Sequence, residues 1–442
     1  MVMNDVNPKV DFAGYRQKIA QVNPIQVFGR VTEIVGLTVE AKGPAAALGE
    51  VCQIACGNGH VTAEVVGFRK GSVLLMPLDT VQGLSPGCRV IGVGRQASVP
   101  VGDALLGRVL NGLGKTIDNR PPVNCRDMYP LYAAPLNPLQ RARIREPLDL
   151  GIRAVNSLFT CGKGQRMGIF AGSGVGKSVL MGQIAKYSRA DVNVIGLIGE
   201  RGREVREFLE KNLGPEGMSR SVVVVATSDT HPLVRMRAAY IATAIAEYFR
   251  DQGRHVLLMI DSLTRFAMAQ REVGLSIGEP PTTRGYTPSV FSLMPKLLER
   301  SGVLEGAGSI TGLYTILVEG DDFNEPVSDT ARSILDGHVI LTRELASRGH
   351  FPAIDVLKSI SRVMPDIVRP EHLEAARMVQ HILSVYRKAE DLINLGAYVN
   401  GSNPEIDFAI KMIEKINTFL RQAMEEHIGL ADAQQELIGL FR

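Results

Sequence analysis

The sequence lacks the features that define several large functional classes. It has no tryptophan, 5% aromatic residues and a formal net charge of only +3 over 442 residues. No run of lysine and arginine forms a basic tract, so charge gives no reason to expect a nucleic-acid partner. No apolar segment reaches the roughly eighteen residues of a membrane span, and residues 1–10 lack the apolar core of a signal peptide. We therefore expect a folded cytoplasmic protein.

Cysteine is also scarce. Cys52 and Cys56 are close enough to suggest a metal site, but no second Cys/His pair follows at ligand spacing, and His60 alone completes nothing. The pattern favours buried, reduced thiols. The full set is Cys52, Cys56, Cys88, Cys125 and Cys161.

Changes in the pattern of apolar residues along the chain predict four segments: residues 1–24, 25–98, 99–366 and 367–442. The first contains an amphipathic helix over residues 10–22, which either packs on its own domain or docks on a partner. Its apolar stripe consists of Phe12, Tyr15, Ile19 and Val22.

The next two segments differ in how their apolar residues are arranged. Short β-branched runs broken by glycine predict a small barrel or sandwich over residues 25–98. Continuous apolar runs at 192–198, 221–226, 255–260 and 312–318 predict buried parallel strands alternating with helices. After Pro370 the pattern is helical, which predicts a C-terminal helical domain.

A phosphate-binding loop lies between the apolar run 167–170 and a stretch predicted to be helical, 179–187. Its glycines let backbone N–H groups point at phosphates, and Lys177 supplies a charge to them. Ser178 offers a hydroxyl to Mg²⁺, and Val179 opens the helical stretch. The loop consists of Ala171, Gly172, Ser173, Gly174, Val175, Gly176, Lys177 and Ser178.

Two carboxylates follow buried strands and complete the predicted site. Asp261 comes directly after the run 256–260, at the strand end where α/β sheets bind ligands, and suits a carboxylate that orders Mg²⁺. Glu200 follows the run 192–198 and is placed to polarise an attacking water. Together these residues predict hydrolysis of a nucleoside triphosphate rather than binding alone.

Several motifs resemble the catalytic subunits of rotary ATP synthases and their relatives. They are the phosphate loop and the segments 199–204, 261–267 and 352–361. Within that superfamily the chain is most similar to the flagellar type III protein-export ATPases, on the segments 278–281, 285–291 and 299–302 and on Gly202.

The resemblance implies an α/β fold with a RecA-like phosphate-loop NTPase core, an N-terminal small β-barrel and a C-terminal helical domain. It also implies ATP and Mg²⁺ as cofactors and a homohexameric ring at the base of the export apparatus. By the same resemblance Phe351 lies against adenine, and Arg362 is an arginine finger that reaches a neighbouring subunit's site. The loop 279–290 would line the ring's opening, where Tyr286 could contact a stalk or substrate.

The resemblance further implies partners: an elongated regulatory protein bound through the N-terminal helix, a central stalk protein, the export gate, and exported proteins or chaperones. It places the chain in the cytoplasm, peripheral to the inner membrane. Three alternatives stay open at this point: an injectisome ATPase, a ring subunit of a rotary synthase, and a hexameric nucleic-acid motor. The last expects stacking aromatics in the barrel and a basic path, and neither is evident.

Overall fold

The computed structural model describes residues 12, 16, 27–57, 59–79, 82–306, 308–318, 322–323 and 325–442. The chain divides into two compact units, residues 1–96 and 97–442. Of the predicted N-terminal helix, Phe12 and Arg16 are described, and both are helical and exposed. Tyr15, Ile19 and Val22 lie outside the described residues, so the docking stripe stays a prediction.

Six strands in the described part of residues 28–96 close into a barrel, in the order β1-β2-β5-β4-β3-β6. The predicted β-domain is therefore a barrel rather than a sandwich. One of its strands, β3, is not among the β-branched runs of the sequence, because Val51 and Ile54 are its only β-branched residues, although Cys52 and Ile54 are fully buried. The strands are β1 (Phe28–Val35), β2 (Thr38–Lys42), β3 (Glu50–Cys56), β4 (Gly59–Arg69), β5 (Ser72–Pro77) and β6 (Arg89–Gln96).

The second unit is built on a mostly parallel sheet with the strand order β19-β18-β12-β17-β15-β13-β14-β8. The short strand β16 pairs antiparallel with β17. Small two-stranded sheets, β7 with β9 and β10 with β11, lie outside it. The strands are β7 (Ser98–Val101), β8 (Val109–Asn111), β9 (Asp127–Pro130), β10 (Pro147–Leu148), β11 (Cys161–Gly162), β12 (Arg166–Ala171), β13 (Val192–Glu200), β14 (Ser221–Thr227), β15 (His255–Asp261), β16 (Gly302–Val303), β17 (Ser309–Leu317), β18 (Gly337–Leu341) and β19 (Ile360–Ser361).

The central strands are buried along almost their whole length, as their continuous apolar runs predicted. In β13 and β14 only the last residue of each strand, Glu200 and Thr227, is not fully buried. Because helices cover such strands, the polar residues of β13 and β14 lie at or next to the strand ends. This confinement places functional side chains at the edges of the sheet.

The helices cover this sheet and form the C-terminal domain. A long helix, α5, packs on β13, β14 and β15. The helices are α1 (Arg153–Leu158), α2 (Lys177–Tyr187), α3 (Gly202–Glu207), α4 (Gly214–Ser219), α5 (Pro232–Asp251), α6 (Leu263–Ser276), α7 (Pro288–Leu298), α8 (Pro326–Ile334), α9 (Arg343–Ser347), α10 (Met364–Ile367), α11 (Pro370–Asn394), α12 (Pro404–Leu420) and α13 (Leu430–Gly439), with a π-helical turn at Phe208–Leu213.

The C-terminal helices α11 to α13 are joined to the core through buried polar contacts. Arg153 of α1 donates to the carbonyl oxygens of Phe419 at 3.0 Å and Arg421 at 2.7 Å. Asn403 caps the start of α12, since its side chain accepts from the Glu405 backbone N–H at 2.9 Å. Within the described residues, no helix has the length and apolar character needed to cross a membrane.

The cysteines differ from their predicted environment. Cys52 and Cys161 are buried thiols, but Cys56, Cys88 and Cys125 are only partly buried. All five are free, so the expectation of reduced thiols holds while the expectation of uniform burial is wrong. The three exceptions lie at or near strand ends, where one side of the residue remains open to solvent.

Candidate functional site

The phosphate loop joins the end of β12 to the start of α2. Ala171 is the last strand residue, and Lys177 is the first helical residue. Gly174 and Gly176 have φ values of 78° and 90°, a region that other residues rarely adopt, so these two positions require glycine. Ala171 needs no such freedom because it is still in the extended strand. The departure from glycine at the first motif position is therefore compatible with the loop.

The first turn of α2 contributes the next predicted residues. Ser178 is exposed and Val179 is partly buried, while Val175 is 2% exposed and belongs to the hydrophobic core. A glycine-rich loop followed by a helix N-terminus presents unpaired N–H groups and the positive end of the helix dipole. The segment therefore has the form of a phosphate-binding site.

Lys177 lies between the two predicted carboxylates. Its ammonium group donates to Asp261 Oδ1 and lies 3.6 Å from Glu200 Oε1. Asp261 is the last residue of β15 and Glu200 the last residue of β13. Thr315 of β17 donates from its hydroxyl to Asp261 Oδ1 at 2.6 Å. The sheet thus brings together three residues that are far apart in the sequence, as predicted.

Burial in this cluster changes how its groups titrate. Burial, and then the neighbouring negative charge of Asp261, raises the pKa of Glu200 to about 7, although Lys177 opposes the shift. Burial alone would lower the pKa of Lys177, but the carboxylates of Asp261 and Glu200 raise it above its usual value. Lys177 therefore stays charged, and Glu200 can accept a proton near neutral pH.

A cavity of about 510 Å³ opens above these residues. Besides the loop, its walls include Arg201 and Glu204, which follow β13 and begin α3, and Val318, which follows β17. The lining is mostly polar or charged. Its composition matches a site for a triphosphate rather than for an apolar ligand.

A second, apolar cavity of about 320 Å³ shares Gly176 and Val179 with the first. Phe351 lies over it and is 46% exposed, so one side of the ring is available for stacking. Met424, from the segment after α12, forms part of its wall. A charged cavity beside an apolar one has the shape that a nucleotide needs, and the contact of Phe351 with adenine stays a prediction.

The side-chain amide nitrogens of the apolar cavity are already engaged within the chain. Gln422 accepts from the Arg153 N–H at 2.7 Å and donates to the carbonyl oxygens of Gly151 and Glu426 at 2.8 Å each. The Gln183 amide nitrogen donates to the carbonyl oxygens of Ala423 and Met424. These amide nitrogens are therefore not free to donate to the edge of a base, and contact with the base would be mainly apolar.

Sequence reasoning missed several residues that line the two cavities. Arg265 of α6 lies against Gly199 at the end of β13, and Arg343 begins α9 just after β18. A signal for both was present, since each follows the carboxyl end of a buried strand by a few residues. Gln422 and Met424 carried no such signal, because only the packing of the C-terminal domain brings them to the base cavity.

Arg362 lies at the other edge of the sheet. It follows Ser361, which pairs with Gly337 at the start of β18. The phosphate loop leaves β12 at Ala171, opposite Leu341 at the end of β18. The strand from Gly337 to Leu341 spans about 13 Å at roughly 3.3 Å per residue. Arg362 is therefore not part of the site formed by its own chain.

Tyr286 also differs from its predicted position. Its side chain is 2% exposed, and its hydroxyl donates to Glu325 at 3.2 Å. The prediction that Tyr286 contacts a stalk or substrate is wrong for this arrangement, because the ring packs into the chain's own core. Arg284, two residues earlier, is at the exposed tip of the loop with φ 53° and pairs with Asp322 at 2.6 Å.

Family comparisons match three consecutive parts of the chain. Residues 31–94 match the ATP synthase alpha/beta family, beta-barrel domain, and residues 151–361 match the nucleotide-binding domain of the same family. Residues 368–439 match the T3SS EscN ATPase C-terminal domain. The matched ranges correspond to the barrel, the sheet with its phosphate loop, and the C-terminal helices.

Known proteins are similar over nearly the full chain. The Flagellum-specific ATP synthase of Pseudomonas aeruginosa is 50% identical over 97% of this chain and 96% of its own. The Type 3 secretion system ATPase of Xanthomonas euvesicatoria is 52% identical over 90% of each. A solved structure, the assembled ATPase EscN in complex with its central stalk EscO from enteropathogenic E. coli, superposes with a TM-score of 0.87 at 45% identity, covering 94% of this chain and all of EscN.

The titration of Glu200 predicts how the reaction depends on pH. Because the pKa of Glu200 is raised to about 7, kcat/KM for ATP should rise as pH increases through 7, where the carboxyl loses its proton and can act as a base. Glu204 contributes to that shift, so Glu204→Gln should move the midpoint to lower pH. The measurement is the pH profile of ATP hydrolysis.

Glu207→Gln is the matched control, since Glu207 lies one turn further along α3 and pairs with Lys211 instead. Its profile should equal that of the parent. Glu200→Gln should abolish turnover while retaining nucleotide binding, because only the proton acceptor is removed. A profile that stays flat between pH 6 and 8 would show that Glu200 is not the limiting base.

The apolar base cavity predicts weak selection between purines. A site that hydrogen-bonds its substrate rejects analogues by about 10⁴-fold or more, whereas apolar contacts discriminate only about 10- to 200-fold. We expect kcat/KM for GTP to lie within about a hundredfold of that for ATP. Phe351→Ala should lower kcat/KM for ATP and for GTP by similar factors. A loss of more than a thousandfold with GTP would reveal a hydrogen-bonding group that selects adenine.

Proposed function

We propose that the chain hydrolyses Mg·ATP to energise the export of flagellar proteins. It belongs to the ATP synthase alpha/beta family and, within it, to the branch of the flagellum-specific ATP synthases and type III secretion ATPases. It is an ATPase. The observation that carries the export function is the 50% identity to a flagellum-specific relative over nearly the whole of both chains.

Each site residue has a proposed task that its position supports. Lys177, now paired with two carboxylates, would bind the phosphates of the nucleotide once they arrive. Glu200 would take a proton from the attacking water, and Phe351 would stack on adenine. The remaining nucleotide-binding residues are Ala171, Gly172, Ser173, Gly174, Val175, Gly176, Ser178 and Val179.

Mg²⁺ fits the oxygen ligands beside the loop. Ser178 offers a hydroxyl, and the hydrogen bonds of Asp261 are made through Oδ1, which leaves its other oxygen for a water or the ion. Mg²⁺ is usually held by one or two protein oxygens together with waters and phosphates. When bound it would neutralise charge that develops on the phosphates.

Arg362 acts in a neighbouring subunit under this proposal. It lies at the sheet edge opposite the phosphate loop of its own chain, and its exposed guanidinium contacts only the Arg332 carbonyl, at 3.5 Å, among the described residues. A homohexameric ring of heterologous contacts would bring this edge to the next chain's nucleotide. The similar EscN has been solved in an assembled state, which supports a ring.

The proposed partners follow from the same branch. EscN binds a central stalk, EscO, so we propose a stalk protein in the ring opening, near the loop that presents Arg284. Residues 1–22 would bind an elongated regulatory protein. The ring would work in the cytoplasm, peripheral to the inner membrane, where it meets the export gate and exported proteins or chaperones. An injectisome ATPase is the second candidate, favoured by the 52% identity to the Xanthomonas relative.

Mixing two inactive variants tests the shared site. Arg362→Ala should lose activity by about a thousandfold, as for other arginine fingers, and Lys177→Ala should be inactive because its own site is broken. In mixed rings about a quarter of the interfaces would join a sound Lys177 to a sound Arg362. We expect ATP hydrolysis to recover on mixing. Each variant mixed with itself is the control.

The presence of mixed rings is confirmed by native mass spectrometry. If they form and no activity returns, Arg362 does not complete a neighbouring site.

Export in cells tests the function itself. Glu200→Gln placed on the chromosome should abolish secretion of flagellar proteins, because the export step would lose its energy source. A chain without residues 1–22 should keep its ATP hydrolysis in solution but export less, because it cannot bind its regulatory partner. The measurement is the amount of flagellar protein in the medium. Normal flagellar export with loss of injectisome secretion would instead select the second candidate.

A further inference from the structure

Arg343 is a cation at the nucleotide site that has no task in the proposed mechanism. Arg343 is the first residue of α9, and its side chain lines the 510 Å³ phosphate cavity. It is exposed, and within the described part of the chain it makes neither an ion pair nor a side-chain hydrogen bond. An arginine that faces an anion site without a partner has its five N–H donors available to a ligand.

The sheet explains how Arg343 comes to this position. β18 runs parallel to β12, and Leu341 at its end is level with Ala171, where the phosphate loop begins. Thr342 turns the chain, with its N–H bonded to the Ala353 carbonyl at 2.9 Å. Arg343 follows at once, so it starts beside the loop residues Gly172 and Ser173, which line the same cavity.

The other cations of the cavity lie elsewhere or are already occupied. Lys177 is engaged by Asp261 and Glu200. Arg201 follows the end of β13 and Arg265 follows the end of β15. In the strand order, β12 and β17 lie between these two strands and β18. The flank formed by β18 therefore has one free cation among its described cavity-lining residues, Arg343. A triphosphate bound to the loop would therefore have a positive charge on its β18 side only if Arg343 contributes one.

A nearby arginine shows the contrast. Arg348 is the residue that follows the end of α9, and it pairs with Glu344 at 2.9 Å and with Glu390 at 3.1 Å. Its charge is directed to the helical surface rather than to the cavity. The two arginines lie at opposite ends of α9 and are both exposed, and only Arg343 lines the nucleotide cavity.

We propose that Arg343 binds the phosphates of the nucleotide held by its own chain, from the β18 side of the loop. The inference rests on the proposed function, since it adds a residue to the same site. It differs from the role of Arg362, which comes from a neighbouring chain. An exposed guanidinium on a phosphate should contribute to binding of ATP more than to the chemical step.

Binding measurements on the full-length Glu200→Gln chain, which should hold ATP uncleaved, test this proposal. The protein is titrated with ATP, ADP and adenosine in the presence of Mg²⁺, and the dissociation constant is measured. The protein concentration is one at which size-exclusion chromatography shows a monomer. In the Glu200→Gln chain, the additional substitution Arg343→Gln should weaken the binding of ATP about tenfold. This is the lower end of the effect expected from losing one charge-assisted hydrogen bond. The affinity for ADP should fall less, and the affinity for adenosine should not change. Arg343→Lys should retain most of the parent's affinity for ATP. Arg348→Gln is the matched control and should bind as the parent does.

Three results would overturn the proposal. The first is unchanged ATP affinity in Arg343→Gln, and the second is an equal loss for adenosine, which would indicate local distortion of the site. The third is a loss that appears only in assembled rings, which would place Arg343 against the neighbouring subunit. Failure of the parent chain to bind Mg·ATP is a separate outcome, and it would remove the proposed function itself.

Discussion

The contact of Lys177 with Asp261 and Glu200 is the interaction on which the site depends. Two carboxylates at the ends of neighbouring strands would repel each other, and burial would make their charges more costly still. The ammonium group lowers that cost before any nucleotide is present. The same contact sets the state of Glu200, whose proton equilibrium near neutral pH reflects burial and Asp261 on one side and Lys177 on the other.

This arrangement is possible because the sheet is parallel. Strands β12, β13, β15 and β17 all point the same way, so their carboxyl ends meet at one edge together with the phosphate loop. The opposite edge carries Arg362, displaced along β18 by the length of the strand. If Arg362 acts as proposed, one chain has both parts of the catalytic site but holds them at opposite ends of the sheet. Assembly with a second copy in the proposed ring would bring the two parts together.

Local signals predicted the parts of the fold with strong periodicity or a fixed backbone requirement. The phosphate loop was recognisable because Gly174 and Gly176 need backbone angles that only glycine adopts readily. The buried strands were recognisable because both of their faces must be apolar. β3 was not recognisable, since it has only two β-branched residues and its composition is not typical of a strand. Tyr286 was placed wrongly because local sequence does not distinguish an exposed aromatic from a buried one.

By itself the sequence determined the chemistry of this protein: a loop for phosphates, a lysine, a hydroxyl, and carboxylates that end buried strands. These follow from short segments whose structure is set by neighbouring residues. Only the tertiary structure decided which distant residues join them. It brought Gln422 and Met424 from the C-terminal domain to the base cavity, put Arg265 and Arg343 on either flank of the loop, and separated Arg362 from its own site. Those positions depend on strand order and helix packing, which arise from contacts between residues far apart in the chain.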